Sequence, residues 1–247
     1  MEKKTGYEFM QKTSKHVSLS AQQRGMPQPP LEWAAPADAE RIALPDPKTL
    51  KMPAADLRSV IEGRRSVRTY SEEALSLEEL SCLLWMTQGV QEVTGRPITL
   101  RTVPSAGARH AFETFVLVNR VEGLKPGLYR FLASEHALIL MNNAADIAGV
   151  LVDACFGQKM VGNAAVSFFW TAVMDRMFWR YDERGYRYLH LDAGHVCQNL
   201  YLAGEAIGCG TCAIAAFDDD LLNDALALDG KEMFAVYAAS LGKKTAM

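Results

Sequence analysis

The sequence predicts an α+β protein, and three observations predict it. Short apolar segments rich in strand formers follow one another after residue 110, and a long helical stripe begins near residue 185. The prolines that would interrupt either pattern are crowded into the start of the chain, where positions 27, 29, 30, 36, 45, 47 and 53 hold seven of the ten.

Residues 1–55 read as an extended, proline-rich arm lying on the surface. Each proline removes a backbone donor and pushes the preceding residue out of helical geometry, and no helical or alternating pattern persists from Gln28 to Pro53. The opening MEKKTGYEFMQKTSKHV carries positive charge with no apolar run behind it, unlike a secretory signal. Domain patterning then covers 56–247. Leu57, Val60 and Ile61 mark one side of a short helix that Gly63 can end. Ser76 with Glu79 makes a capping box and Leu75 with Leu80 a hydrophobic staple, which predicts a helix from Leu77 to about Gly89. Strands are expected at Phe112–Asn119, Gly127–Leu132 and Ala137–Met141, then a helix over Asn143–Asp153. Ala164–Met174 holds Val166, Phe168, Phe169, Trp170 and Val173 almost without polar interruption, the composition of a central strand covered on both faces.

From Gly185 or Tyr188 to Ile207, the spacing of Leu189, Ala193, Val196, Leu200, Ala203 and Ile207 makes one apolar stripe. Gly194, Cys197, Tyr201 and Gly204 make a second side, so neighbours are expected on both, one of them in another subunit if the chain self-associates. A strand at Thr211–Ala216, a helix capped by Asp218 and a strand at Phe234–Leu241 finish the layout.

The chain has 247 residues, 49% hydrophobic and 22% charged, enough apolar material for a large core. A net charge of −3 offers no excess of positive charge for nucleic acid. The most apolar window is too short to span a bilayer core of about 30 Å. Five cysteines, an odd number, argue against a disulfide framework, and a cytoplasmic protein is expected.

Four segments carry candidate chemistry. In Arg64-Arg65-Ser66-Val67-Arg68, an extended backbone would turn Arg64, Ser66 and Arg68 to one side, two guanidinium forks and a hydroxyl that suit a phosphate. The same arginines also suit the negative end of the preceding helix. In Pro104-Ser105-Ala106-Gly107-Ala108-Arg109, small residues let the backbone approach a flat ligand and Ser105 is placed to cap a short helix, although a plain turn has the same composition. Cys209-Gly210-Thr211-Cys212 has dithiol spacing, but it follows a helix and enters a strand, so two small buried residues explain it as well. Asp218-Asp219-Asp220 suits an N-cap and first helical turn as readily as a metal. No P-loop, Gly-x-Ser-x-Gly elbow or Gly-x-Gly-x-x-Gly fingerprint occurs.

Taken in order, RRSVRTYSEEALSLEELSCLLWMTQGV, VPSAGARHAFETFVLV, FWRYDERGYRYLHLDAGHVCQNLYLAGEAIG and CGTCAIAAFDDD resemble the FMN-dependent nitroreductase superfamily from about residue 56 to the C-terminus. Within it they look most like the SagB-type branch, which contains the dehydrogenases that oxidise peptide azolines to thiazoles and oxazoles. The resemblance implies a nitroreductase-like fold, a central mixed β-sheet flanked by helices, in an intertwined homodimer with two FMN sites at the interface. It places Arg64, Ser66 and Arg68, with Arg65 beside them, at the FMN phosphate and ribityl chain. Pro104, Ser105, Ala106, Gly107 and Arg109 of the partner chain fall along the isoalloxazine ring, and Ile214, Ala215 and Ala216 fall near its N5 edge. Lys243 or Lys244 adds charge at the phosphate. The azoline dehydrogenases carry a Lys-Tyr pair where this chain has Arg180-Tyr181. Arginine stays protonated, so proton transfer at 180 is disfavoured, while Tyr181 suits either acid–base work or packing over the flavin. The implied activity is NAD(P)H-linked reduction of a nitro or quinone-type acceptor by hydride transfer through flavin N5. Azoline oxidation, flavin binding without turnover and dithiol chemistry at Cys209 and Cys212 are the alternatives.

Overall fold

A computed structural model describes residues 4–14, 19–50, 53–95 and 98–245. Parts of the N-terminal arm, and both ends of the opening segment weighed as a signal, lie outside the described residues.

The arm is not extended throughout. Helix α1 spans Lys4–Lys12, and a two-residue strand, β1 (Ile42–Ala43), joins the main sheet and carries Leu44 into the core. The chain continues through α2 (Leu57–Gly63), α3 (Leu77–Gln88), β2 (Val90–Val93) and β3 (Thr99–Arg101). There follow β4 (Phe112–Val118), β5 (Gly127–Leu132), β6 (Ala137–Asn142), α4 (Ile147–Ala154), α5 (Met160–Asn163) and β7 (Val166–Val173). The last elements are α6 (Met174–Tyr181), α7 (Gly185–Ala206), β8 (Cys209–Ile214), α8 (Asp219–Ala225) and β9 (Met233–Lys243).

Seven strands form one sheet in the order β1-β6-β5-β4-β7-β9-β8. Every ladder in it is antiparallel, and among the described residues parallel pairing is confined to two isolated bridges, Ser66 with Thr211 at the β8 edge and Leu75 with Val121. Because side chains alternate along a strand, β4 and β7 face two cores. Val116, Phe168 and Trp170 pack under α3 and α7 with Leu80, Leu84, Leu189 and Leu200. Phe115, Leu117 and Phe169 pack under α4, α5 and α8 with Leu151, Val161 and Leu222. Truncating one such buried Phe to Ala costs about 3–5 kcal/mol.

The capping box forms as expected: Glu79 N–H donates to Ser76 Oγ at 3.1 Å and Ser76 N–H to Glu79 Oε2 at 3.0 Å. Helix α4 starts at Ile147, later than expected, because Asn142 Oδ1 accepts the Ala144 N–H and holds a turn there. Gly63 is the last residue of α2 rather than its terminator, and Arg64 N–H closes the helix on Val60 O.

The middle of the arm, Pro30 to Trp33, meets a buried ionic cluster. Glu113 Oε1 accepts Arg176 Nη2–H at 2.6 Å and Trp33 N–H at 2.7 Å, while Arg176 Nε–H donates to Pro30 O at 2.8 Å. Glu32 Oε1 accepts Ala133 N–H at 2.6 Å, and the Trp33 ring lies 4.5 Å from the buried Arg130 guanidinium. Burial, then the Glu113 charge, raises the Glu32 pKa. Among the described residues no helix is long and apolar enough to cross a membrane.

Candidate functional site

The basic segment leaves α2 and runs along β8, where Val67 N–H donates to Thr211 O at 3.0 Å. Gly210 permits that approach, since a Cβ on it would come within 2.5 Å of Val67 Cβ. Alternation then separates the arginines. Arg65 turns back, donating to Glu62 O at 2.8 Å, so it serves the negative end of α2. Arg64 and Ser66 converge on Tyr201 of α7: the Arg64 guanidinium lies 5.1 Å from its ring, and Ser66 Oγ is 3.0 Å from its hydroxyl. Tyr201 Oη also accepts Ala213 N–H at 2.8 Å, and either hydroxyl of the Ser66–Tyr201 pair can donate to the other. The exposed Arg68 reaches its own strand through Ser66 O and counts among the charges on Cys212 and Tyr70. No carboxylate among the described residues pairs with Arg64, Arg65 or Arg68.

Beyond Ala213, Ile214 is buried whereas Ala215 and Ala216 are exposed and lie past the end of β8, which stops earlier than the sequence suggested. Gln158 Nε2–H donates to Ala216 O at 2.7 Å and fixes that turn. The two lysines diverge. Lys243 pairs with Glu79 in a cleft of about 540 Å³ that Glu73, Glu78 and Glu122 also line, away from the arginines. Lys244 pairs with Glu205 at 2.6 Å, and that carboxylate is within 3.3 Å of where a Gly63 Cβ would sit, so Lys244 is the lysine beside Arg64.

The second group gathers around the 104–109 loop. Pro104 is exposed, and Ser105 does not cap the single 3-10 turn Ala106–Ala108 that follows it. Instead Ser105 Oγ–H donates to Asp192 of α7 at 2.6 Å, Ala106 N–H donates to the same carboxylate at 3.2 Å, and His110 N–H donates to Ser105 Oγ at 2.9 Å. Burial raises the Asp192 pKa against these bonds. The clamp holds three consecutive-turn oddities: Gly107, Ala108 and His110 have φ of 58°, 52° and 43°. Left-handed backbone at non-glycine positions stores strain that surrounding contacts must hold. Burial and the charges of Arg101 and Arg109 push His110 down to about 3, so its imidazole is neutral. Gly107 abuts α6, and a Cβ there would strike Tyr181 Oη and lie 2.7 Å from Arg180 Nε. Tyr181 packs edge-on against Tyr188 at 4.7 Å.

The structure thus brings Arg64, Ser66 and the Ala213 N–H together at Tyr201, with Arg68 next to Ser66, and brings Ser105–Arg109, Arg180 and Tyr181 into another group. Tyr201 and Asp192 anchor the two. They are nine residues apart on α7, about 13.5 Å along the axis at 1.5 Å per residue and half a turn around it at 3.6 residues per turn. Sequence reasoning missed both anchors. The signal was a polar side chain next to each stripe position, Asp192 before Ala193 and Tyr201 after Leu200. Cys209 and Cys212 face opposite cores, and burial pushes the Cys209 thiol up to about 12 and raises Cys212, so they make no dithiol pair. The helix side carrying Cys197, Tyr201 and Gly204 meets this chain's own β8 and β9, where a Gly204 Cβ would come within 2.8 Å of Thr211 Oγ1.

A protein-family profile described as "Nitroreductase family" matches residues 61–243. The chain is 34% identical over 189 residues to "Putative nitroreductase MJ1384" of Methanocaldococcus jannaschii, a match covering 76% of this chain and 90% of that one. It is 28% identical over 133 residues to the trifolitoxin-processing protein TfxB of Rhizobium leguminosarum, covering 52% of this chain and 36% of that protein. A crystal structure assigned as a nitroreductase from Anabaena variabilis superposes with a TM-score of 0.70 at 29% identity, over 85% of this chain and 42% of that one. The Escherichia coli microcin synthetase McbBCD complex with truncated pro-MccB17 gives 0.64 at 18% identity, over 94% and 84%. An FMN complex from Desulfovibrio desulfuricans gives 0.55 at 19%, over 78% and 88%. The last two likenesses are likenesses of fold.

Proposed function

Because the chain belongs to the nitroreductase family, we propose that it is an FMN-dependent oxidoreductase that uses NAD(P)H to reduce nitro or quinone-type organic acceptors, as a homodimer with two shared sites. The carrying observation is the donor set at the β8 edge: Arg64 and Arg68 have no carboxylate partner among the described residues, and the Ser66 hydroxyl meets the Tyr201 hydroxyl that also holds the Ala213 N–H. Those residues fit a phosphate-bearing group, since guanidinium forks match phosphate oxygens and Arg64 is already oriented by Tyr201. FMN, when bound, carries a hydride equivalent between donor and acceptor.

In this reading Arg64, Ser66, Arg68 and Lys244 hold the phosphate end, and Ile214, Ala215 and Ala216 offer main-chain groups with little side chain in the way. Arg65 serves the end of α2 and Lys243 pairs with Glu79 away from the arginines, whereas Lys244, itself paired with Glu205, stands next to the Arg64 end of the segment. Pro104, Ser105, Ala106, Gly107 and Arg109 face the other side of α7, which supports a site completed by the partner's loop. Exposed Leu57, Ile61, Leu100 and Leu191 offer apolar surface for that pairing. Tyr181, held against Gly107 and Tyr188, can present its hydroxyl proton to a substrate on that loop.

Azoline oxidation is the second reading, supported by the likeness to TfxB, a toxin-processing protein of which this chain covers 36%. Arginine at 180 disfavours it, because arginine cannot serve as a base. The test of the first reading is chromatography of the flavin released on denaturation, with FMN expected and FAD or no flavin refuting it. Arg68→Ala should then weaken FMN binding by roughly ten-fold to over a hundred-fold, one charged hydrogen bond of about 1.5–3 kcal/mol.

A further inference from the structure

We infer that Arg109 and Arg180, on either side of Gly107, form a receptor for one oxyanion group of the substrate, a carboxylate or a phosphate. The inference deepens the reading above and rests on its placing substrate at the 104–109 loop.

Both guanidinium groups touch the same glycine. Arg109 Nε–H donates to Gly107 O at 3.3 Å, and Arg180 Nε lies 2.7 Å from the position a Gly107 Cβ would take. Arg109 is 3% exposed and lies over the Trp179 ring at 5.2 Å. Arg180 is half-buried, 5.7 Å from the Tyr181 ring. No carboxylate among the described residues forms an ion pair with either arginine. The acid nearest the loop, Asp192, is taken by Ser105 and Ala106. Burial, then the neighbouring Arg180 charge, lowers the Arg109 pKa, with Tyr181 acting in the opposite sense. Buried charges are ordinarily paired, so a pair of guanidinium forks with one face toward a half-buried loop implies an anion from outside. The clamp from α7 and the left-handed backbone at Gly107 and Ala108 hold the forks in place.

The shared chemistry is a planar or tetrahedral oxyanion. It can come from a carboxylated acceptor or from the phosphates of the nicotinamide donor, and the test separates them. Calorimetric titration of the FMN-loaded protein with benzoate, and separately with adenosine 2′,5′-bisphosphate, is compared for wild type, Arg180→Gln and Arg180→Lys. At least one probe should bind, weaken ten-fold or more in Arg180→Gln and recover in part in Arg180→Lys. Benzoate binding assigns the acceptor and bisphosphate binding the donor. For the acceptor arm, the preference in kcat/KM for para-nitrobenzoate over para-nitrobenzamide should fall by the same factor. Binding of neither probe, equal binding by wild type and Arg180→Gln, or weaker FMN binding in Arg180→Gln with probe binding intact would overturn the inference. If Arg180→Gln does not fold, Arg109→Gln takes its place, with Arg109→Lys as the charge-keeping control, under the same outcomes. Should the purified protein hold no flavin, the flavin reading fails, and the titration of the flavin-free protein still decides this one.

Discussion

Replacing Asp192 with alanine cuts the tie between α7 and the 105–110 loop, and the size of the effect follows from what is stranded. The carboxylate is 4% exposed and accepts the Ser105 hydroxyl at 2.6 Å and the Ala106 N–H at 3.2 Å. Two hydrogen bonds to a charged acceptor contribute about 1.5–3 kcal/mol each, and part of that is offset by taking the charge out of water. A net loss of about 2–4 kcal/mol is expected for Asp192→Ala, and about 1 kcal/mol for Asp192→Asn, which keeps an acceptor. The sign of the pH dependence also follows. Burial raises the folded pKa above the unfolded value of 3.8, so the folded state binds this proton more readily. Wild-type stability therefore falls as pH rises from the ordinary Asp range through the raised value, while asparagine does not titrate. The margin of wild type over Asp192→Asn should be larger near pH 4 than at pH 7. Urea unfolding at fixed protein concentration, followed by circular dichroism at both pH values, measures it. An alanine variant within about 0.5 kcal/mol of wild type, or a margin that grows with pH, would refute the reasoning.

Tyr201→Phe removes the hydroxyl that joins Ser66 to the Ala213 N–H, and FMN affinity measured by fluorescence titration should drop about ten-fold. Unchanged affinity would show that Ser66 is positioned without it. Glu113→Ala strands the buried Arg176 and should destabilise by about 3–5 kcal/mol in denaturant melts, with Glu113→Gln milder; equal effects would mean that shape, not charge, matters there. Tyr181→Phe should change nitroaromatic turnover by less than about ten-fold, or 1.4 kcal/mol, because water or other donors can supply the proton. Azoline oxidation that vanishes in that variant would favour the second reading instead.

Local signals were legible wherever one short stretch carried them. Ser76 and Glu79 are three residues apart and fix the start of α3, and the apolar run of β7 announced a central strand. Helix α6 was missed because Met174 follows Val173 with no turn residue between them, so the end of the strand was masked. The β2–β3 hairpin was missed because VQEV lacks an alternating apolar pattern. Extended geometry in the basic segment predicted Arg64, Ser66 and Arg68 on one side, and Arg64 and Ser66 do meet at Tyr201, whereas Arg68 reaches back to Ser66 O. That geometry could not say which arginine answers the helix end, since that depends on where Glu62 O points. The anchors' partners were hidden for a different reason: Asp192 meets Ser105 across 87 residues and Tyr201 meets Ser66 across 135, and no window of sequence spans either contact. The charged residues Arg101, Glu113, Arg130 and Arg176 carry no local sequence signal of burial, and only packing shows them to be buried.

The arm's grip on that ionic cluster bears on the order in which the chain assembles. Trp33 reaches Glu113 across 80 residues, Glu32 reaches Ala133 across 101, and Pro30 reaches Arg176 across 146. Contacts this distant in sequence close late and slow folding, since the loop must be closed before it returns any stability. Until then Arg130 lacks the Trp33 ring and the β6 edge lacks β1, leaving a charged pocket and an unpaired strand open to solvent. Such an edge is a template for pairing with other chains. Docking of β1 covers Ala137 and Leu138 of that edge and so shortens the stretch open to another chain.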